Sequence, residues 1–198
     1  MQSSEPGGAT PLDPDEADGL LYAHVGTRGE LNELEEANIQ MGLEWAMRRA
    51  VTGRRQIDVL TEDFLYQLHQ QMFGEVWAWA GEVRRSNKNI GVDRHTVRIE
   101  VRNLIEDARV WREQKVYDPD ELAVRFHHRL VAIHPFANGN GRHARLLADL
   151  IALQAGRPTF TWGDARLGST LELRTAYISA LSAADRGDMA PLIAFARS

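Results

Sequence analysis

Two apolar runs at helical spacing, interrupted by a short polar loop, constrain this chain more than any other feature. Leu122, Phe126, Leu130 and Ile133 recur three and four residues apart, and Leu146, Leu147, Leu150 and Ile151 resume the pattern farther along. Between them stands HPFANGNGRHAR, residues 134–145. Proline at 135 disfavours helical geometry in the residue before it, so the first helix stops near His134, which enters the loop in an extended or turn conformation. The second helix is apolar enough to lie at the centre of a domain.

The same period runs through most of the chain beyond residue 29. Leu31, Leu34, Met41 and Trp45 share a stripe. A helix capped by Thr61 turns Leu65, Leu68, Met72 and Val76 or Trp79 inward and ends near Gly81. Val101, Leu104, Ile105 and Ala108 mark another, and the DPDE at 118–121 caps the helix that ends at His134. Leu173, Tyr177 and Leu181, then Leu192, Ile193 and Phe195, mark the last two. Only VRRSNKNIGVDRHTVRI breaks the pattern. Val97 and Ile99 alternate with polar residues and SNKN supplies turn chemistry, so a short β-hairpin is expected at 83–99. The fold class is mainly α, one domain with one small hairpin.

Composition narrows the function. At 198 residues the chain suits a single domain with a substantial core, and 43% hydrophobic with 26% charged residues is ordinary globular usage. A formal charge of -5 argues against bulk attraction to nucleic acid or an anionic membrane. The absence of cysteine excludes disulfides, thiol catalysis and thiolate zinc sites, and fits a reducing cytoplasm. Residues 1–28 lack a basic start and an apolar run, so they read as a loose leader rather than a signal peptide or anchor.

The chemistry concentrates in residues 134–145. Gly139 and Gly141 bracket Asn140 and allow the positive φ values that aim backbone N–H groups at one anion, where the dipole of the following helix adds positive potential. Arg142 and Arg145, three apart, face the same anion with bidentate forks, and Asp149 is placed to orient them. No Gly-Lys-Ser/Thr follows, so this is not a Walker loop. His134, with an ordinary pKa of roughly 6.5, is a base at the lip of the anion site. Phe136 is the hydrophobic peg that pins the loop to the core.

HPFANGNGRHAR resembles the Fic signature, His-x-Phe-x-Asp/Glu-Gly-Asn-Gly-Arg-x-x-Arg, failing at one specified position. The likeness extends to WAWAGEVRRSNKNIGV, similar to the segment up to and including the Fic flap, and to RTAYISALSAADRGDMAPLIAF, similar to the C-terminal helices. It covers about residue 29 to the end, and from ELNELEEANIQMGLEWA through RFHHRLVAIHPF the chain also resembles the group called mobile mystery protein B, found on bacterial mobile elements beside a helix-turn-helix protein. The resemblance implies a helical Fic fold and transfer of AMP from ATP, with Mg2+, onto a Ser, Thr or Tyr hydroxyl of a target protein held along the flap. By that resemblance His134 is the base, Gly139, Asn140 and Gly141 form the anion hole, and Arg142 and Arg145 clamp the triphosphate. The family's metal-positioning carboxylate is replaced by Asn138, a neutral amide that binds Mg2+ less strongly. Two alternatives stay open: another nucleotide or phosphate-linked donor, or a catalytically silent nucleotide- or partner-binding regulatory module of a toxin-antitoxin-like pair.

Other features have plainer readings. His127 and His128 invite a metal assignment, but no HExxH or comparable carboxylate pattern accompanies them, so they read as hydrogen-bonded structural histidines, as do His24, His69 and His95; His143 reads as packing. The five tryptophans, Trp77 and Trp79 among them, read as core rather than as a stacking site for a base. Arg84, Arg85, Lys88, Arg94 and Arg98 read as a solvated hairpin face, with no direct nucleic-acid binding. Fic proteins often carry an inhibitory glutamate that pairs with the second signature arginine, and NELEEAN at 32–38 offers Glu35 and Glu36 for Arg145.

Overall fold

In the computed structural model the described residues are 19–22, 28–163 and 170–198. They form seven helices: α1 (Arg28–Met47), α2 (Glu62–Phe73), α3 (Val97–Glu113), α4 (Pro119–Ile133), α5 (Asn140–Gln154), α6 (Thr170–Asp185) and α7 (Ala190–Ala196), with a π-helical turn, Arg48–Thr52, after α1. None is long and apolar enough to cross a membrane. His24 and most of the 1–28 leader lie outside the described residues.

The caps act as the sequence implies. The Thr61 hydroxyl accepts the Phe64 N–H at 3.1 Å, and the Asp118 carboxylate accepts the Asp120 and Glu121 N–H groups at 2.8 and 3.2 Å, with Pro119 completing the first turn of α4. The antiparallel pair α4 and α5 forms the centre. Leu122, Phe126, Leu130 and Ile133 of α4 meet Leu147, Leu150 and Ile151 of α5, all buried, each contributing about 1.5–3 kcal/mol of apolar burial. Val97, Val101, Leu104, Ile105 and Ala108 of α3 close one side, and Leu192 and Phe195 of α7 another.

Three expectations need correction. The segment from 83 to 96 contains no strand, and there is none among the described residues; Val97 and Ile99 belong to α3. The hairpin fails because the segment's backbone groups find partners elsewhere: the Arg84 N–H goes to the Pro135 carbonyl (2.9 Å) and the Val92 N–H to the Ile133 carbonyl (3.3 Å). Second, α2 ends at Phe73, and Gly74 through Glu82 continue as turns closed by Phe73–Val76, Phe73–Trp77 and Trp79–Glu82 backbone bonds. Third, Met41 points outward, about half exposed; the buried face of α1 runs through Glu35, Asn38, Gly42 and Ala46. Leu31, Leu34 and Trp45 do pack against the core, partly buried, so the apolar stripe fails only at Met41, while the most buried positions are polar and small. Asn38 explains part of it, bridging the end of α2 by donating to the Gln71 carbonyl (2.9 Å) and accepting the Glu75 N–H (3.0 Å). Residues 19–21 pair antiparallel with 76–78 through Leu21 N–H to Val76 (2.9 Å) and Ala78 N–H to Gly19 (2.8 Å).

Candidate active site

The loop from His134 to Gly139 joins the buried ends of α4 and α5, and buried polar contacts set its shape. Asn140 staples it: its side-chain oxygen accepts the Phe136 N–H and its amide donates to the Phe136 carbonyl, both at 2.9 Å. The side chain of Asn140 thus serves the loop, and only its backbone is left to serve an anion. Phe136 is fully buried and stacks on His69, ring centroids 3.6 Å apart, with Tyr66 and His143 at its edges. The peg reading holds, and its bearing is a histidine that sequence reasoning treated only as structural. His69 donates from Nε2 to the Asn138 carbonyl (3.1 Å) and accepts the Gly81 N–H at Nδ1 (3.0 Å), a pattern only the neutral ring satisfies. Burial, reinforced by His143 nearby, holds its pKa well below the usual value. No sequence signal links residue 69 to residue 138.

At the start of α5 the two glycines differ. Gly139 has the left-handed φ of 76°, and a Cβ there would lie 2.5 Å from the Phe73 ring. Gly141 has helical φ, and nothing lies within 4 Å of where its Cβ would be. One glycine makes the turn and the other leaves space in front of it. The amides of Asn140, Gly141 and Arg142 open the helix with no carbonyl behind them, which suits an anion. The Gly139 N–H is different, donating at 2.6 Å to the side-chain oxygen of Asn138.

The residue that would act as base stands at the other end of the loop. His134 ends α4 with φ 56° and ψ 61°, left-handed rather than extended as its proline neighbour suggests. It is buried, and burial together with the Arg84 guanidinium lowers its pKa to about 4 against the opposing pull of the Val131 backbone. Arg84 is itself buried, not on a solvated face as the run of basic residues suggests, and donates through Nε to the His134 carbonyl at 2.7 Å.

The two signature arginines are held differently. Arg142 lies 4.9 Å from the Phe73 ring centroid and pairs at 2.8 Å with Glu35 of α1. Glu35 also accepts the Trp77 indole N–H at 2.8 Å, and its side chain is only 9% exposed. The acidic helix therefore does reach the site, through Glu35 and to the first arginine; the expected pairing with Arg145 is not formed, and Glu36 is exposed and bonded to Gln40. Arg145 lies 5.8 Å over the Tyr177 ring. Asp149 orients neither arginine. It accepts the Phe160 N–H (2.9 Å) and the Trp162 indole (3.1 Å), and burial raises its pKa to about 6. His127 bonds Tyr177 (2.9 Å), His128 bonds Asp185 (2.8 Å) and His143 bonds the Leu65 carbonyl (2.9 Å), so all three are structural.

Residues 59–152 match the family model described as the Fic/DOC family. Over those residues the chain is similar to the Fic/DOC family. It is 27% identical over 168 residues to protein adenylyltransferase fic-1 of Caenorhabditis elegans, and 29% identical over 167 residues to protein adenylyltransferase Fic of Aedes aegypti. Each alignment covers 82% of this chain and 32% of the relative, so the chain spans about a third of the length of these curated relatives. The fold agrees with a Fic-domain signaling protein of Bacteroides thetaiotaomicron (TM-score 0.67, 21% identity, 86% of this chain and 69% of that one). It agrees equally with BepC of Bartonella tribocorum, solved with AMPPNP bound (TM-score 0.66, 17% identity, 93% and 97%).

Proposed function

We propose that this Fic/DOC domain is a protein adenylyltransferase. The oxygen of a target Ser, Thr or Tyr attacks the α-phosphorus of ATP, the bond from that phosphorus to the bridging oxygen breaks, and pyrophosphate leaves. His134 takes the hydroxyl proton. The observation that carries the reading is the placement of a buried, neutral imidazole at the lip of a loop whose far end presents the amides of Asn140, Gly141 and Arg142. A pKa near 4 keeps that ring neutral and ready to accept a proton, though weakly basic; phosphates beside it would favour the protonated form and strengthen the base. Most of the rate would come from positioning and charge neutralisation. Arg142 and Arg145 supply the neutralising charge, and Glu35 must release Arg142 before a triphosphate takes its place.

Mg2+ fits this loop poorly as a resident ion. The loop's one side-chain oxygen suited to it, on Asn138, already accepts the Gly139 N–H, and no group of three or more acidic or histidine side chains among the described residues could hold a metal. Mg2+ would arrive on ATP, with phosphate and water oxygens filling most of its shell. A cytoplasmic, toxin-like setting on a mobile element, beside a helix-turn-helix partner, belongs to the same proposal. Its support is the cysteine-free composition and the sequence likeness.

A silent nucleotide-binding module is the competing reading, favoured by the Glu35–Arg142 pair and by Asn138. Incubating the Glu35→Gly chain with ATP, Mg2+ and a bacterial lysate, then following intact mass and labelled AMP, separates the two. Covalent addition of one adenylyl group to any protein, lost in the Glu35→Gly, His134→Ala double variant, is the expected result. Nucleotide binding without covalent product overturns it.

A further inference from the structure

His134 occupies a conformation that local sequence resists. A residue with a side chain at φ 56° is strained, and the following proline disfavours helical geometry of the residue before it. Such a conformation persists only where its surroundings over-determine it. Here one side chain makes the hydrogen bond to the His134 carbonyl and ties it to the facing segment. Arg84, 3% exposed, donates from Nε to the His134 carbonyl at 2.7 Å, from Nη1 to the Ser86 carbonyl at 2.7 Å and loosely to Asn87 Oδ1 at 3.5 Å, and from Nη2 to the Val92 carbonyl. Its backbone N–H holds the next carbonyl along, that of Pro135. One guanidinium thus joins the near end of the 84–92 segment, its far end and the backbone of the imidazole.

The other side of the contact is equally close. Gly91, at φ 104°, lies where an added Cβ would come within 2.8 Å of the His134 Cβ and 3.0 Å of Arg84 Nη2. The planar fork explains why arginine stands here. Three nitrogens donate in three directions from one rigid group, and the ammonium of lysine, a point charge, would reach fewer of these carbonyls.

We propose that Arg84 is a positioning residue for His134, fixing the backbone of the base and binding it to the 84–92 segment so that segment and imidazole move as one body. A target polypeptide laid on that segment would therefore adjust the base it is meant to reach. The proposal rests on the reading of His134 as base only where a rate is measured.

The first test needs no turnover. In the full chain, the imidazole resonances of His134, assigned with His134→Ala, are followed through a pH titration in Arg84→Gln and Arg84→Lys. The charged groups acting on that ring are Arg84 and Lys88, and burial acts in the same direction. In Arg84→Gln, with helical circular dichroism retained, the His134 resonances shift and their midpoint rises toward about 6.5, while those of His69 and His143 stay put; Arg84→Lys recovers part of the change. His134 resonances and midpoint matching wild type in folded Arg84→Gln overturn the proposal. Should that variant not fold, Gly91→Ala presses on the same contact, and an undisturbed His134 there overturns it equally. In the Glu35→Gly background, Arg84→Gln lowers kcat for transfer by about 100-fold with KM for ATP little changed. Absence of transfer in the Glu35→Gly parent counts against the adenylyltransferase reading, and the resonances still decide the role of Arg84.

Discussion

The floor and the rim of the His134 loop are built from opposite materials. Beneath it, His69 and His143 are buried and uncharged, Phe136 stacks between helices, and Asn140 closes the turn with neutral bonds. Along the rim, Glu35 and Arg142 pair through charge. Neutral buried polar groups fix a shape because leaving any of them unpaired is costly. A charged group near an opening can exchange one partner for another at little net cost. The floor thus specifies the loop, and the rim leaves it able to accept an anion.

Acid should break the floor first and most completely. Burial holds His127 at about 3 and His143 at about 4, and His69 well below its ordinary value. Unfolded, each titrates near 6.5, so between about 6.5 and 4 the unfolded chain binds more protons and stability falls with pH, by a few kcal/mol per ring at most. Asp149, raised to about 6, works the other way, favouring the folded state as it protonates, but it is one group against four, His134 at about 4 included. Circular dichroism should show Tm steady above pH 7 and falling steeply from about 6.5 to 4; a flat profile across that window would mean the rings are not buried neutral.

Asn140→Ala is the next largest blow. It strands the Phe136 N–H and carbonyl in a buried site, a loss of about 2–4 kcal/mol in denaturant unfolding, with Asn140→Asp recovering the half that needs only an acceptor. A loss well under 1 kcal/mol would show that the loop is held by something else. Glu35→Gln, on the rim, should leave unfolding within about 1 kcal/mol of wild type, since the amide can still accept from Trp77. It should tighten ATP binding by about tenfold in calorimetry by freeing Arg142. Unchanged affinity would mean that Glu35 and nucleotide do not compete.

Much of this was legible in the sequence. The periodicity located α4 and α5, the caps at Thr61 and Asp118 fixed two helix starts, and HPFANGNGRHAR placed the loop between them. The missed features share a cause. Arg84 sits among other basic residues, and only the fold shows that its guanidinium reaches the carbonyl of His134, 50 residues away. His69 and Glu35 likewise act through partners 69 and 107 residues distant. The hairpin was misread because alternation at Val97 and Ile99 is equally the start of a helix whose next turn buries Val101. Leu31, Leu34 and Trp45 marked the inward side of α1, but its most buried positions stayed hidden because they are Glu35, Asn38, Gly42 and Ala46 rather than large apolar groups.

The footing of α1 has its own consequence. Three residues beyond Glu35, Asn38 is locked into the end of α2, and at Gly42 the two helices approach so closely that a methyl group would meet Met72 at 2.8 Å. A helix bolted down at both points does not swing away. Glu35 can leave Arg142 only by turning about its own side-chain bonds, a nanosecond event at an open surface and slower at this enclosed one. On the proposed function, whether the site is open would then be settled by competition between one carboxylate and the donor's triphosphate, and so would follow nucleotide concentration rather than waiting for a rearrangement of the fold.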